Sequence, residues 1–200
     1  MSNRTRAVIT ALPLAIAASL GLTGCASPTG AGPAPGMDHG AHAPSPSSAT
    51  TADQMFVVMM IPHHEQAIEM SDLLLGKADI DPGVAELAER ITAAQGPEIE
   101  MMQAWLDDWA VAQVSPGPGG MDHGDGMMSQ TDMAQLRDAE GAEASRLFLE
   151  QMIVHHQGAV EMAEAELAQG RDAEVRDLAR RVVDDQTAEI TEMRDILARL

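Results

Sequence analysis

Tyrosine is missing from this chain of 200 residues, and phenylalanine and tryptophan occur only twice each. Sheets draw much of their cross-strand stabilisation from aromatic and β-branched pairs, so this poverty of rings argues against an aromatic-rich β-sandwich. A single cysteine, Cys25, excludes an intrachain disulfide framework. Basic residues are scarce too: 12 Lys and Arg stand against 31 Asp and Glu, a formal net charge of −19. Nucleic acids and anionic lipids bind basic surfaces, so neither is expected as a partner, whereas metal cations and basic proteins fit. There is no Ser/His/Asp set, phosphate-binding loop or cysteine nucleophile to suggest hydrolysis or group transfer.

What is plentiful after residue 50 is Ala, Leu, Glu, Met and Gln, all good helix formers. The 15 methionines exceed what gap-filling in a core needs, and the thioether is also a soft ligand for Cu(I).

The first residues read as an address. Arg4 and Arg6 form a positive start, and Ala7 to Leu20 is an apolar run of signal-peptide rather than membrane-spanning length. Leu22-Thr23-Gly24-Cys25 resembles the bacterial lipobox, and the only cysteine stands at its lipidation position. We expect a lipoprotein signal over residues 1–24 and a membrane anchor on Cys25; the alternative is ordinary secretion with cleavage near Ala26. Residues 25–51, rich in Ala, Gly, Pro, Ser and Thr, read as a flexible tether. It carries Met37-Asp38-His39-Gly40 and His42, and a second copy, Met121-Asp122-His123-Gly124, lies in a Gly/Pro-rich linker over 113–130. Each copy sets imidazole, carboxylate and thioether close together, as a weak metal-capturing tract or a chance low-complexity repeat.

The remainder, 52–200, is duplicated. Met60-Ile61-Pro62-His63-His64-Glu65-Gln66-Ala67-Ile68-Glu69-Met70 matches Met152-Ile153-Val154-His155-His156-Gln157-Gly158-Ala159-Val160-Glu161-Met162 at an offset of 92. At an offset of 91, Gln95, Glu98, Met102 and Leu106 match Gln186, Glu189, Met193 and Leu197. Each half, 52–112 and 131–200, is a helical hairpin, so the expected fold is all-α, an up-down four-helix bundle. Helices are expected from Ala52 to Leu75, from Asp81 as N-cap to Val111, from beyond Gly141 to Ala168, and from Asp172 to near Leu200. A shorter piece is expected at Thr131–Ala139.

The apolar stripes place both histidine pairs on or beside the core face, with adjacent side chains ~100° apart around the helix. Helix 2 presents Val84, Ala88, Ile91, Gln95, Glu98, Met102 and Trp105 on one seam, and the last helix repeats the pattern through Glu189 and Met193. A buried carboxylate is costly unless it is paired, protonated or bound to a cation. His63 and His64 are the natural partners of Glu98, and His155 and His156 of Glu189. With Met60, Met70, Met102, Met152, Met162 and Met193 they form a candidate metal-binding set. Imidazole with thioether suits copper, while imidazole with carboxylate also suits iron, zinc or manganese. Pro62 and Pro97 sit inside helices just before His63 and Glu98, and each frees the carbonyl four residues back, Val58 and Ala93.

The two His-His segments resemble those of the bacterial "domain of unknown function 305" family, over about Ala52 to Leu200. The resemblance implies a secreted, ferritin-like four-helix bundle, with copper binding and tolerance in some members. It carries over to His63, His64, His155, His156, Met60, Met70, Met152 and Met162. Pro62 has no counterpart in the second half. The di-iron Glu-x-x-His pattern is absent, since Met101 and Glu192 stand three residues after Glu98 and Glu189. Three readings follow. The first is a cell-envelope lipoprotein that binds copper for sequestration or tolerance, its status as an enzyme left open. The second is a structural or partner-binding bundle with a polar core and no metal. The third is a ferritin-like metal oxidase. No protein partner is indicated.

Overall fold

The computed structural model describes residues 49–112 and 126–200. The leader, Cys25, the tether with His39 and His42, and the tract at 121–124 lie outside the described residues. Five helices are present: α1 (Thr51–Leu75), α2 (Pro82–Asp108), α3 (Gln130–Asp138), α4 (Gly141–Gln169) and α5 (Ala173–Leu197). Among the described residues none is long and apolar enough to cross a membrane.

Local chemistry sets the boundaries. Thr50 and Asp53 form a capping box at the start of α1, and Ser129 and Asp132 another at α3. Asp81 and Asp172 cap α2 and α5, each with one carboxylate oxygen accepting two backbone amides. Helix α2 stops at Asp108, short of the expected Val111. Ala110 there takes a left-handed φ of 54°, the Val111 amide bonds to the Leu106 carbonyl, and the Ala110 amide bonds to the Asp107 carbonyl. This is a Schellman stop, built on alanine where glycine is usual and so easily missed from sequence. Pro62 and Pro97 both lie within continuous helices.

The hairpins are α1–α2 and α4–α5, and α1 packs on α4. Two matched hydrogen bonds fix their directions. In the first turn of α1, Asp53 Oδ1 accepts the amides of Arg171 and Asp172, both at 2.9 Å, at the α4–α5 turn. In the first turn of α4, Ser145 Oγ accepts the Asp81 amide at 2.9 Å, at the α1–α2 turn. Helices α1 and α4 are therefore antiparallel, and the directions run up, down, down, up. Alternation holds within each hairpin. Asp53 and Ser145 are repeat equivalents, as are Asp81 and Asp172, so a pseudo-two-fold axis relates the hairpins.

The short α3 breaks this symmetry. It packs against α1 and α4, burying Met133 and Leu136 with Met70, Leu74 and Phe148. Gln151 donates to the Asp132 carbonyl and Lys77 to the Arg137 carbonyl, tying α3 down on both flanks.

The apolar core is split into two clusters. One gathers Met70, Leu74, Leu87, Ile91, Phe148 and Met152; the other gathers Phe56, Val57, Met60, Met102, Leu106 and Leu178. Between them lies a polar layer of histidine, glutamine and glutamate. Trp105, expected on the inward seam, is only partly buried, and Leu106 takes the core position. Trp105 instead stacks on Trp109, ring centroids 6.2 Å apart, at the end of α2.

A candidate metal centre in the middle of the bundle

All four histidines of the repeated motif are buried, His64 and His156 completely. Sequence periodicity leaves room for one of each pair to sit at the edge of the face; the closeness of α1 and α4 encloses both. His63 and His155 meet where the two helices cross, ring centroids 3.8 Å apart and planes tilted by 42°. They are repeat equivalents, so their contact marks the pseudo-two-fold axis.

The outer members of the pairs turn to the second helix of their own hairpin. His64 Nε2 lies 2.9 Å from Glu98 Oε2, and His156 Nε2 lies 2.7 Å from Glu189 Oε2. Both glutamates are one-fifth exposed. They thus reach inward from the rim of the bundle without being sealed in it. A carboxylate oxygen only accepts, so a neutral imidazole bonded to it through Nε2 carries its proton there and keeps its lone pair on Nδ1. Nδ1 of His64 and Nδ1 of His156 are buried with no hydrogen-bond partner. An orphaned buried acceptor costs on the order of 1–3 kcal/mol, and here the cost is incurred at equivalent positions in both halves.

Burial holds the His155 imidazole well below its ordinary pKa, reinforced by the nearby His63, His156 and His64. The ring is neutral near pH 7, the form that ligates metals.

The candidate methionines fall in different places. Met60 and Met152, one turn before the histidines, are fully buried, as are Met102 and Met193 on α2 and α5. Met70 and Met162 lie seven residues beyond His63 and His155, about 10 Å along the axis at 1.5 Å per residue. Met70 is packed beneath α3, whereas Met162 faces a separate cavity. Among the described residues no three His, Cys, Asp or Glu side chains converge as a ready ion cage. The nitrogens meet as pairs, and Glu98 and Glu189 stand behind the imidazoles as orienting partners. An arrangement of this kind suits an ion of low coordination number, with soft thioethers close at hand.

Sequence reasoning missed three features around this layer. Gln66, two residues after His64, clamps Met128 through both its backbone groups at 2.9 and 2.7 Å, which holds the chain entering α3 over α1. Gly126, at φ +76°, lies so close to Val154 and Gly158 on α4 that a Cβ there would collide with their backbone. The third is a carboxyl pair. Burial alone would raise the Asp53 pKa, but hydrogen bonds from Thr50, from the Asp172 backbone and from Glu166 bring it down to about 2. Burial, then the bond to and charge of Asp53, raise Glu166 to about 8. The repeat held the signal for both, since Asp53 aligns with Ser145 and Glu166 with Leu74.

A family model described as "Domain of unknown function (DUF305)" matches residues 53–197. Among solved structures, the chain is similar to a DUF305 fragment from Deinococcus radiodurans, with 34% identity over 76% of this chain and 99% of that one and a TM-score of 0.68. A DUF305 protein from Streptomyces coelicolor is 36% identical over 74% of this chain and 91% of its own, also with a TM-score of 0.68. CopM in its Cu(I)-bound form is 33% identical over 74% and 96%, with a TM-score of 0.62. CopM is also known in Cu(II)-bound and Ag-bound forms. No match is found among curated proteins.

Proposed function

The chain belongs to the DUF305 family, and from that premise we propose that it is an exported, lipid-anchored protein of the bacterial cell envelope that binds copper within its bundle, for sequestration or tolerance. The observation that carries this reading is the pair of unpartnered Nδ1 atoms on His64 and His156, each on a ring whose other nitrogen is held by a glutamate. Histidines that bind metal are oriented in this way, with the far N–H given to a carboxylate. Copper bound to a relative of this fold supports the choice of metal. Buried imidazoles and neighbouring thioethers support the reduced ion.

In this reading His63, His64, His155 and His156 supply the nitrogens, Met60 and Met152, one turn before them, supply thioethers, and Glu98 and Glu189 orient the rings. The acidic surface concentrates cations without choosing among them. In this reading the copper is cargo.

The test is copper binding by the full chain with all four histidines replaced by alanine. Tight Cu(I) binding, measured by competition with a chromophoric chelator, is expected to be lost while helicity is kept. Unchanged affinity and stoichiometry in the folded variant would make the histidines a structural polar core. For the anchor, Cys25→Ala is expected to release the protein from membranes, and fractionation like wild type would refute it.

A further inference from the structure

Besides the histidine layer, the bundle holds a second place suited to soft-ligand chemistry. An open cavity of about 240 Å³ lies between the N-terminal half of α1 and the C-terminal half of α4, and its walls include Met55, Met59 and Met162 with Phe56, Ala52 and Glu166. Met55 is 62% exposed, the most exposed of the large apolar side chains among the described residues. Its thioether is therefore open to solvent at the cavity.

The pseudo-two-fold axis supplies the control. The repeat equivalents of Met55, Met59 and Met162 are Leu147, Gln151 and Met70, and those of Phe56 and Glu166 are Phe148 and Leu74. At that equivalent place α3 packs on α1 and α4, and its Met133 and Leu136 share one buried cluster with Met70, Leu74 and Phe148. Only one of the three equivalents there is a methionine. The open copy therefore differs from the closed one twice: nothing among the described residues covers it, and thioethers replace a leucine and a glutamine on its wall.

Met55 and Met59 are four residues apart, on one face of α1. Met162 reaches the same cavity from the antiparallel α4. Three sulfurs on two rigid helices, around a space larger than an ion needs, can close on a soft cation by rotamer changes alone, because methionine has three rotatable side-chain bonds. Hard divalent cations are disfavoured here. They need several oxygens, and the cavity's one carboxyl, Glu166, is buried, with a pKa raised to about 8 by burial and by Asp53, so it is protonated at neutral pH.

We propose that Met55, Met59 and Met162 form a thioether site for a monovalent soft cation, Cu(I) or Ag(I), on the bundle surface and separate from the histidine centre. The site does not depend on the histidine reading, and its test separates the two.

Ag(I), which needs no reductant, is titrated into the full chain carrying ¹³C-methyl methionine, with the methyl signals assigned through single Met→Leu variants. The same titration is run on the chain with the four histidines replaced by alanine. The methyl resonances of Met55, Met59 and Met162 are expected to shift together in both, within the first two equivalents. The triple variant Met55→Leu/Met59→Leu/Met162→Leu keeps side-chain volume, and it is expected to bind one equivalent fewer than wild type with its histidine signals still responding to silver. If the three methyl groups stay unmoved in the wild-type chain, or the folded triple variant keeps the wild-type number of equivalents, the cavity is an ordinary apolar groove and the proposal fails. Failure of the histidine centre alone leaves these three shifts in place.

Discussion

His63 and His155 face each other across the α1–α4 seam with ring centroids 3.8 Å apart, each the repeat equivalent of the other. Duplication has placed the same imidazole on both sides of one axis, so the two half-sites meet rather than standing apart. The outer rings, His64 and His156, are tied back to Glu98 and Glu189.

The glutamates should matter to binding without being ligands. Glu98→Gln and Glu189→Gln keep a hydrogen-bond acceptor but remove the negative charge behind the imidazole. Each is expected to weaken Cu(I) affinity about 10-fold, and at most about 100-fold, the usual range for orienting partners of metal-bound histidine. Competition with a chelator measures this, and a loss as complete as that of the quadruple histidine variant would instead make the glutamates direct ligands.

Glu166 gives a stability effect of known sign. Its pKa is raised from 4.5 to about 8, so the folded state holds a proton that the unfolded chain gives up. Its contribution is therefore present below pH 4.5 and fades as pH rises toward 8. Glu166→Leu, which copies Leu74 of the other half, is expected to stabilise the protein at pH 8.5 by about 1–2 kcal/mol, with a smaller gain at pH 5. Urea unfolding followed through the Trp105–Trp109 pair, which sits at the same end of the bundle, would show it; an equal gain at both values would contradict the proton linkage.

His155 acts in the opposite sense. Its folded pKa lies well below the ordinary 6.5, so below that value the unfolded chain takes up a proton that the buried ring refuses. Its contribution to stability is full above pH 6.5 and falls as pH drops, with a slope of at most about 1.4 kcal/mol per pH unit. The comparison to make is with His155→Gln, whose stability relative to wild type should rise between pH 6.5 and 5. Asp53, at about 2, leaves this window undisturbed. A constant difference between the two proteins across it would mean that His155 is not held neutral by the fold.

Much of the bundle was legible in the residue pattern because repetition states its own alignment. The offsets of 92 and 91 gave two hairpins, and the caps Asp81 and Asp172 and the His/Glu pairing followed from periodicity and the cost of burying a carboxylate. Other features depend on where the hairpins meet, which periodicity does not encode. That Asp53 serves the α4–α5 turn, that Met162 faces a cavity while Met70 lies under α3, and that Glu98 meets His64 through a ring whose partner touches His155 are consequences of the antiparallel α1–α4 contact. Trp105 misled because an amphipathic stripe drifts by about 20° per heptad, enough to exchange neighbouring positions after several turns.

The one-sided placement of α3 has a consequence for how the fold breathes. Local opening costs least where few side chains bridge neighbouring helices. The flank bearing Met133 and Leu136 is cross-braced by α3, whereas the opposite flank, along the beginning of α1 and the end of α4, has no such covering helix among the described residues and is held by the Asp53 latch and its own core packing. Amide protons there are expected to exchange sooner than their repeat equivalents under α3, which hydrogen-exchange measurement would check. A molecule assembled from two copies of one hairpin thereby acquires a front and a back.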